Sequence, residues 1–185
     1  VSTDPRPILH DALRLDGGED HVELRYHAKR TRSVSVEGGR VDQAKVSEHT
    51  GVGVRVLSQG TFGFASTDQL EVGAVRRAIE TARAAARASA SARKDKLAPP
   101  PWVELAVGQF DAPGFLELSE ASIDERLKLV LELEAHTRKQ STKIVSASSG
   151  YTEIFEEKGI VTSDGASAWT RVARPELRVM TVAQN

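Results

Sequence analysis

Hydrophobic and polar positions alternate with a period of two over several short stretches of this chain. In residues 21–28, Val22, Leu24 and Tyr26 occupy every second position, with charged and histidine side chains between them. This alternation is typical of a strand with one buried face. It recurs in both halves of the chain and predicts strands at residues 33–37, 40–47, 144–148, 151–157, 160–163, 166–174 and 176–183.

Residues 51–66 form the most distinctive stretch. Val52, Val54 and Val56 alternate there with two glycines and an arginine, and a Ser-Gln-Gly turn follows. Phe62 and Phe64 then resume the alternation, which predicts a β-hairpin with one apolar face. Its glycines would leave the other face bare, so that a helix, another domain or an extended peptide can lie close to the backbone.

Three helices follow from apolar positions spaced three and four residues apart. The first covers residues 7–15 and ends at a pair of glycines. The second runs to about residue 90, and Asp68 with Glu71 predicts its N-terminal capping box. Ser122 with Glu125 predicts a second capping box before the third helix. A polar and proline-rich linker is expected at residues 93–114.

The order of helix, paired strands, turn and paired strands occurs twice along the chain. It predicts an α+β fold of two similar lobes, each a mostly antiparallel sheet with packed helices. The lobes would cover residues 8–92 and 115–185. The segments 37–41 and 157–161 match as counterparts, each with glycine near its centre. The second copy stops at Asn185 before its last strand, so we expect the architecture to continue beyond this sequence.

The composition of the chain excludes several classes of protein and site. The 185 residues carry a net charge of −1, with 39% hydrophobic and 28% charged residues, which is typical of a soluble globular protein. There is no cysteine, which excludes disulfides, thiolate zinc sites and cysteine nucleophiles. No apolar run is long enough to span a membrane, and the N-terminus lacks signal-peptide features. A cytoplasmic location is the expectation.

No catalytic constellation emerges from the residues alone. The five histidines do not stand at metal-ligand spacing. The segment Gly51-Val52-Gly53 lacks the third glycine and the following helix of a dinucleotide-binding loop. The arginines of the second helix predict a solvated face rather than a nucleic-acid site, because no aromatic residues are interleaved with them. Trp102 and Trp169 are expected in the core or an interface.

Residues 22–86 resemble the TldD/PmbA family, also called modulators of DNA gyrase. The family pattern combines a "VxxGRVxxxxxS" segment with "GVGVRVxxxGxxGFASTxxL" and an alanine-rich helix. The positions that match it are Val36, residues 39–41, Ser47, residues 51–56, Gly60, residues 63–67 and Leu70.

This resemblance implies the N-terminal domain of a metallopeptidase that acts on flexible or unfolded peptides. Family members assemble as homo- or heterodimers around a cavity and hold zinc on an HExxxH helix in a C-terminal domain. This chain contains no His-Glu pair. It is therefore expected to hold no cofactor and to be inactive alone. The family-motif residues expected at the cavity or an interface are Gly51, Gly53, Arg55, Gly63, Phe64 and Ser66.

Two other functions stay open at this point. One is a free-standing, non-enzymatic module that binds an extended peptide or a partner protein with the hairpin 51–66. The other is a nucleic-acid binder that uses the basic helix, whose affinity would fall steeply with salt. We expect a peptide substrate and a TldD/PmbA-type subunit as partners, and neither nucleic acid nor membrane.

Overall fold

A computed structural model describes residues 4–98 and 103–184. The helices are α1 (Pro5–Asp16), α2 (Val72–Ala90), α3 (Phe115–Glu120) and α4 (Ile123–Arg138). The strands are β1 (His21–Glu37), β2 (Arg40–Ser58), β3 (Thr61–Thr67), β4 (Val107–Gln109), β5 (Ile144–Thr162) and β6 (Ser167–Ala183). They form one sheet in the order β3-β2-β1-β5-β6-β4, in which β3 runs antiparallel to β2 and β4 parallel to β6. The α+β class with a mostly antiparallel sheet and packed helices is confirmed.

The strands are longer than the sequence pattern predicts. The strands expected at 21–28 and 33–37 are one strand, β1, and the three expected between 144 and 163 are one strand, β5. The predicted break in β1 fell at residues 29–32, where Arg32 occupies a position on the apolar side of the alternation, and Glu153 occupies such a position within β5. Glu153 is buried and Arg32 is partly buried, and Arg32 Nε donates to a Glu153 carboxylate oxygen at 2.8 Å. An ion pair replaces apolar contacts there, and the backbone continues as a strand.

Two of the four helices, α1 and α4, begin with a side-chain cap. Asp4 caps α1 by accepting from the Arg6 amide, and Gly17 ends it in the left-handed conformation. The predicted capping box of Ser122 and Glu125 is confirmed. The predicted cap at Asp68 is wrong. The Thr67 hydroxyl accepts from the Gln69 amide and turns the chain, so that α2 begins only at Val72, without a side-chain cap.

The residues group into two compact units. Unit 1 combines segments 1–28, 50–111 and 157–170, and unit 2 combines segments 29–49, 112–156 and 171–185. Four long strands, β1, β2, β5 and β6, contribute residues to both. The two lobes predicted from the sequence, with the linker 93–114, divide the chain differently and stay a prediction. Trp102 lies outside the described residues.

Unit 1 has the larger apolar core. Valines and leucines of β1 and β2 pack there with alanines of α2 and with Leu9 of α1. Trp169 belongs to this core, and its ring centroid lies 5.9 Å from that of Tyr26. Gly159 lies within β5 and not at the turn that its match to the segment 37–41 suggests. A Cβ there would lie 2.3 Å from the Trp169 ring, so the glycine makes room for the indole.

Unit 2 has a small apolar core that is supplemented by buried charges. Val34, Val36, Val130 and Tyr151 form its buried cluster, with partly buried residues of α4 against it. Glu153 is 1% exposed and accepts from both Arg32 and Arg126. Arg32 also donates to the carbonyl oxygens of residues 118 and 121, at the end of α3 and just beyond it, at 3.0 Å each. The ion pairs thus fix β1, β5, α3 and α4 within this unit.

Candidate functional site

The hairpin of β2 and β3 presents two different faces. A two-residue turn at Gln59 and Gly60, both with positive φ, pairs Ser58 with Thr61. This register places Gly63 opposite Val56, and Phe64 opposite Arg55. Because directly paired residues share a face, the phenylalanines lie on the side away from the buried valines. The expectation that valines and phenylalanines form one apolar face was therefore wrong, since the turn length sets the register.

The face with the valines is covered by helix α2. Gly63 is buried in this contact, and a Cβ on it would lie 1.9 Å from the Ala82 carbonyl oxygen. Only a glycine permits so close an approach of helix and strand. Gly63 is thus engaged by the helix, which was one of the three neighbours considered for the bare glycines.

The opposite face, which we call the open face, carries the other predicted site residues. Gly53 pairs with Ser66, and Gly51 lies two positions away on the same side of β2. A Cβ at Gly53 would meet no heavy atom closer than 3.9 Å, whereas one at Gly51 would lie 3.2 Å from the Thr67 carbonyl oxygen. Phe64 is 65% exposed. Backbone at Gly53 and an aromatic ring are therefore accessible side by side.

A charged cluster that the sequence did not predict lies on the open face. Glu23 of β1 is only 6% exposed, and its two carboxylate oxygens accept from Arg25 and from Arg55, the latter at 2.5 Å. The Arg55 guanidinium also lies over the Phe62 ring, 4.8 Å from its centroid. One carboxylate thus holds two arginines. The only available signal was the polar side of the alternation in β1, which also fits a solvated face.

These side chains border a shallow hollow of about 190 Å³. Its lining consists of Arg25, Gly53, Val54, Arg55, Phe64 and Ala65. The hollow brings together three of the six predicted site residues, Gly53, Arg55 and Phe64. Arg25 and the backbone of the neighbouring positions complete it. Gly51 and Ser66 share the face but lie outside the lining, and Gly63 faces the helix.

A second hollow lies within unit 2 and has a polar lining. It measures about 440 Å³ and is bordered by hydroxyl-bearing residues of β1 and β5, Gly150, and Glu176, Arg178 and Met180 of β6. The Ser35 hydroxyl donates to Asp42 at 3.0 Å on this lining. Sequence reasoning missed it because serines and threonines carry no periodic apolar signal. Such a lining offers many hydrogen-bond partners.

The described residues do not fit a metal ion. Residues 4–98 and 103–184 contain no group of three or more histidine or acidic side chains that could hold a metal ion. His21 lies 3.3 Å from Asp164, whose pKa is lowered by a hydrogen bond from Thr162 and by this histidine. No helix in the described part of the chain is long and apolar enough to cross a membrane.

Models of known protein families match most of the chain. Residues 22–86 match "PmbA/TldA metallopeptidase domain 1", and residues 116–185 match "PmbA/TldA metallopeptidase central domain". A curated "Metalloprotease TldD homolog" from Buchnera aphidicola is 25% identical over 146 residues, which is 79% of this chain and 29% of the relative. This chain therefore spans less than a third of that protein.

Solved structures show the same fold. A putative modulator of a DNA gyrase from Thermotoga maritima has a TM-score of 0.72 at 16% identity, over 97% of this chain and 40% of the other. TldE from Thermococcus kodakarensis has a TM-score of 0.72 at 20% identity, over 96% of this chain and 40% of the other. Matches to both domain models, in chain order, show that this chain belongs to the PmbA/TldD metallopeptidase family.

Proposed function

We propose that this chain is the non-catalytic N-terminal part of a TldD/PmbA-type zinc metallopeptidase that acts on flexible or unfolded peptides. In this proposal it forms part of the wall of a peptide-holding cavity in a homo- or heterodimer with a TldD/PmbA-type subunit. The observation that carries the proposal is the pair of family matches, to domain 1 and to the central domain. The described residues do not fit zinc, so the metal would be held outside this chain.

The open face suits a role in holding extended chains. Gly53 exposes backbone, and Phe64 and the aliphatic stem of Arg55 offer flat apolar surface beside it. Contacts of this kind depend little on the peptide's sequence, because every extended peptide presents a backbone and alternating side chains. The polar hollow of unit 2 would supply further hydrogen bonds to peptide groups.

The proposal is tested with the purified 185-residue chain and an unfolded polypeptide such as reduced, alkylated casein. We expect no stoichiometric zinc by elemental analysis and no hydrolysis after zinc is added. We expect weak but detectable binding, with a Kd of about 1 mM per site, because one wall offers only part of a cavity. A folded globular protein of similar charge is the control. Stoichiometric zinc with hydrolysis by this chain alone would contradict the proposal, and so would the absence of any binding.

A free-standing binding module is the second candidate. It is favoured by the position of β3 at the end of the strand order, where its outer edge has no strand partner in the described sheet. An extended peptide added to this edge would gain main-chain hydrogen bonds. Binding of unfolded peptides by this chain alone with a Kd of about 10 μM or tighter would favour the module over the peptidase part. Loss of that binding on N-methylation of alternate peptide amides would locate it at the edge.

A further inference from the structure

We propose that the hollow on the open face binds a carboxylate group of a peptide, supplied either by an acidic side chain or by the C-terminus. Arg25 and Arg55 would hold this carboxylate, with Phe64 packing against the neighbouring peptide carbons. The inference rests on the proposed function, because it names the chemistry that the same face recognises.

The hollow carries an excess of positive charge. Two guanidinium groups border the hollow, and among the described residues Glu23 is the acidic side chain in contact with them. Glu23 neutralises one positive charge, which leaves the cluster with a net charge of +1. Glu23 is almost fully buried, so its charge is fixed in place while Arg25 remains 60% exposed. A second carboxylate entering from solvent would balance the remaining charge.

The two arginines of the hollow have more hydrogen-bond donors than Glu23 uses. An arginine has five N–H donors in a rigid plane, which suits bidentate binding of a carboxylate. Within the described residues, Arg55 donates one hydrogen bond, from Nη2 to Glu23, and its Nε is buried without a partner. Arg25 donates through Nε to the same carboxylate, which leaves its terminal nitrogens free. Donor capacity is therefore in excess at this hollow.

Neighbouring side chains fix the orientation of the Arg55 guanidinium. The Glu23 carboxylate accepts a hydrogen bond from Arg55, and the Phe62 ring lies against the Arg55 guanidinium. A guanidinium held on two sides loses less conformational entropy on binding than a free one. The absence of side chains at Gly53 leaves space for peptide backbone next to it. The hollow thus combines an oriented cation, an exposed cation, a bare backbone and an aromatic ring.

The test compares three heptapeptides that share a glycine-serine-alanine background. The first has a central glutamine and an amidated C-terminus, the second a central glutamate with the amide, and the third the glutamine with a free C-terminus. Amide NMR titration of the 185-residue chain at low salt measures Kd and locates the contact. We expect the second or third peptide to bind about fivefold more tightly than the first, with the largest shifts at Gly53, Arg55 and Phe64. Which of the two gains affinity identifies the source of the carboxylate.

Three variants distinguish binding at this hollow from a general effect of positive charge on the protein. Arg25→Gln should abolish the fivefold preference without unfolding the chain, because Arg25 is exposed and Glu23 keeps Arg55. Arg55→Lys keeps the charge and should reduce the preference, because it removes the planar donor pair. Arg76→Gln, an exposed arginine of α2, is the matched control and should leave the preference unchanged.

The outcomes distinguish this inference from the proposed function. Equal binding of all three peptides, or a preference that survives Arg25→Gln, would overturn the carboxylate site while leaving peptide binding intact. Failure of all three peptides to bind would contradict the proposed function as well. A preference that Arg76→Gln also removes would show long-range attraction only, and would overturn the site.

Discussion

The two compact units reach a packed interior by different physical means. In unit 1, fourteen buried apolar residues form one cluster, and α2 packs directly on β3 through Gly63. In unit 2, the buried apolar cluster has four members, and the fully buried or nearly buried side chains beside it include Glu134 and Glu153. Burial of apolar surface is non-directional, whereas buried charges require specific partners. Unit 1 should therefore be most sensitive to changes of side-chain volume, whereas unit 2 should be most sensitive to the loss of one partner of a buried ion pair.

Buried charge also occurs in unit 1, but at its edge. Arg83 of α2 is paired with Asp16 at 2.6 Å and with Asp20 at 2.8 Å, and these hydrogen bonds raise its pKa although burial opposes the charge. This cluster joins α2 to the end of α1 and the segment before β1. The arginine thus supplements an apolar core in unit 1, whereas Glu153 lies among the elements that form the core of unit 2.

The largest effect is expected from Glu153→Ala. It leaves Arg32 and Arg126 partly buried without their shared carboxylate, and should lower the free energy of unfolding by about 4 kcal/mol. Chemical denaturation measures the loss, and hydrogen exchange should show it first in segments 29–49 and 112–156. Glu132→Ala, an exposed position of α4, is the control. A loss below about 1 kcal/mol would contradict the dependence of unit 2 on buried charge.

A large effect is also expected from Gly63→Ala in unit 1. The added Cβ would lie 1.9 Å from a backbone oxygen of α2, so the helix must move, at a cost of about 3 kcal/mol. Gly53→Ala is the matched control on the paired strand, where the nearest atom is 3.9 Å away, and should change stability by less than about 0.5 kcal/mol. Urea denaturation of both variants measures the difference. Equal losses of stability in the two variants would show that contact with α2 is not the reason for a glycine at position 63.

A gain in stability is expected from Glu134→Met. Glu134 is 0% exposed, and neither of its carboxylate oxygens has a hydrogen-bond partner in the described residues, although Arg138 approaches to 3.5 Å. Replacing an unsatisfied buried carboxylate by an apolar side chain of similar length should stabilise the chain by about 1 kcal/mol. Lys128→Gln, at an exposed position of the same helix, is the control and should change stability by less than about 0.5 kcal/mol. Destabilisation by the methionine would show that Glu134 has a function or partner beyond these residues.

The smallest effect is expected for the pH dependence of stability, which tests the cluster of charged side chains around Arg83. Burial of Asp20 opposes its ionisation, but hydrogen bonds from Ser58 and Arg83 and the charges of Arg83 and Arg87 hold its pKa below the ordinary value. A lowered pKa stabilises the fold above the unfolded pKa of about 3.9, and this stability is lost as the pH falls through the folded value. Denaturation of wild type and Asp20→Asn between pH 7 and pH 2 measures it. Asp20→Asn should be less stable than the wild type at pH 7 and should lose less free energy of unfolding as the pH falls. Parallel stability-against-pH curves for the two proteins would contradict the lowered pKa of Asp20.

Much of the architecture was predictable because local chemistry dictates it. The capping box at Ser122, the turn at Gly38 and Gly39 and the apolar face of α2 depend on residues close together in sequence. The family pattern over residues 22–86 was predictable for the same reason, since its glycines and valines are contiguous. The cap at Asp68 failed although its residue types were right, because Thr67 offered the backbone a competing hydrogen bond.

The sequence predicted only some of the residues that meet on the open face. Gly53, Arg55 and Phe64 were identified from the family pattern, but nothing in it placed Glu23 and Arg25 beside them. Those contacts arise from the pairing of β1 with β2, which are joined across a distant turn. The hollow of unit 2 was missed entirely, because its polar lining resembles any solvated strand surface.

By itself the sequence determined the α+β class, three of the four described helices, the turn at Gly38 and Gly39, the family and the lack of a His-Glu pair in this chain. These follow from periodicity, local hydrogen bonding and residue identity, which act over a few neighbouring positions. Only the tertiary structure decided that Gly63 faces a helix while Phe64 faces solvent, and that Arg32 and Glu153 substitute for apolar residues inside long strands. The physical reason is that strand register and charge pairing are settled between residues far apart in sequence, where no local pattern records the partner.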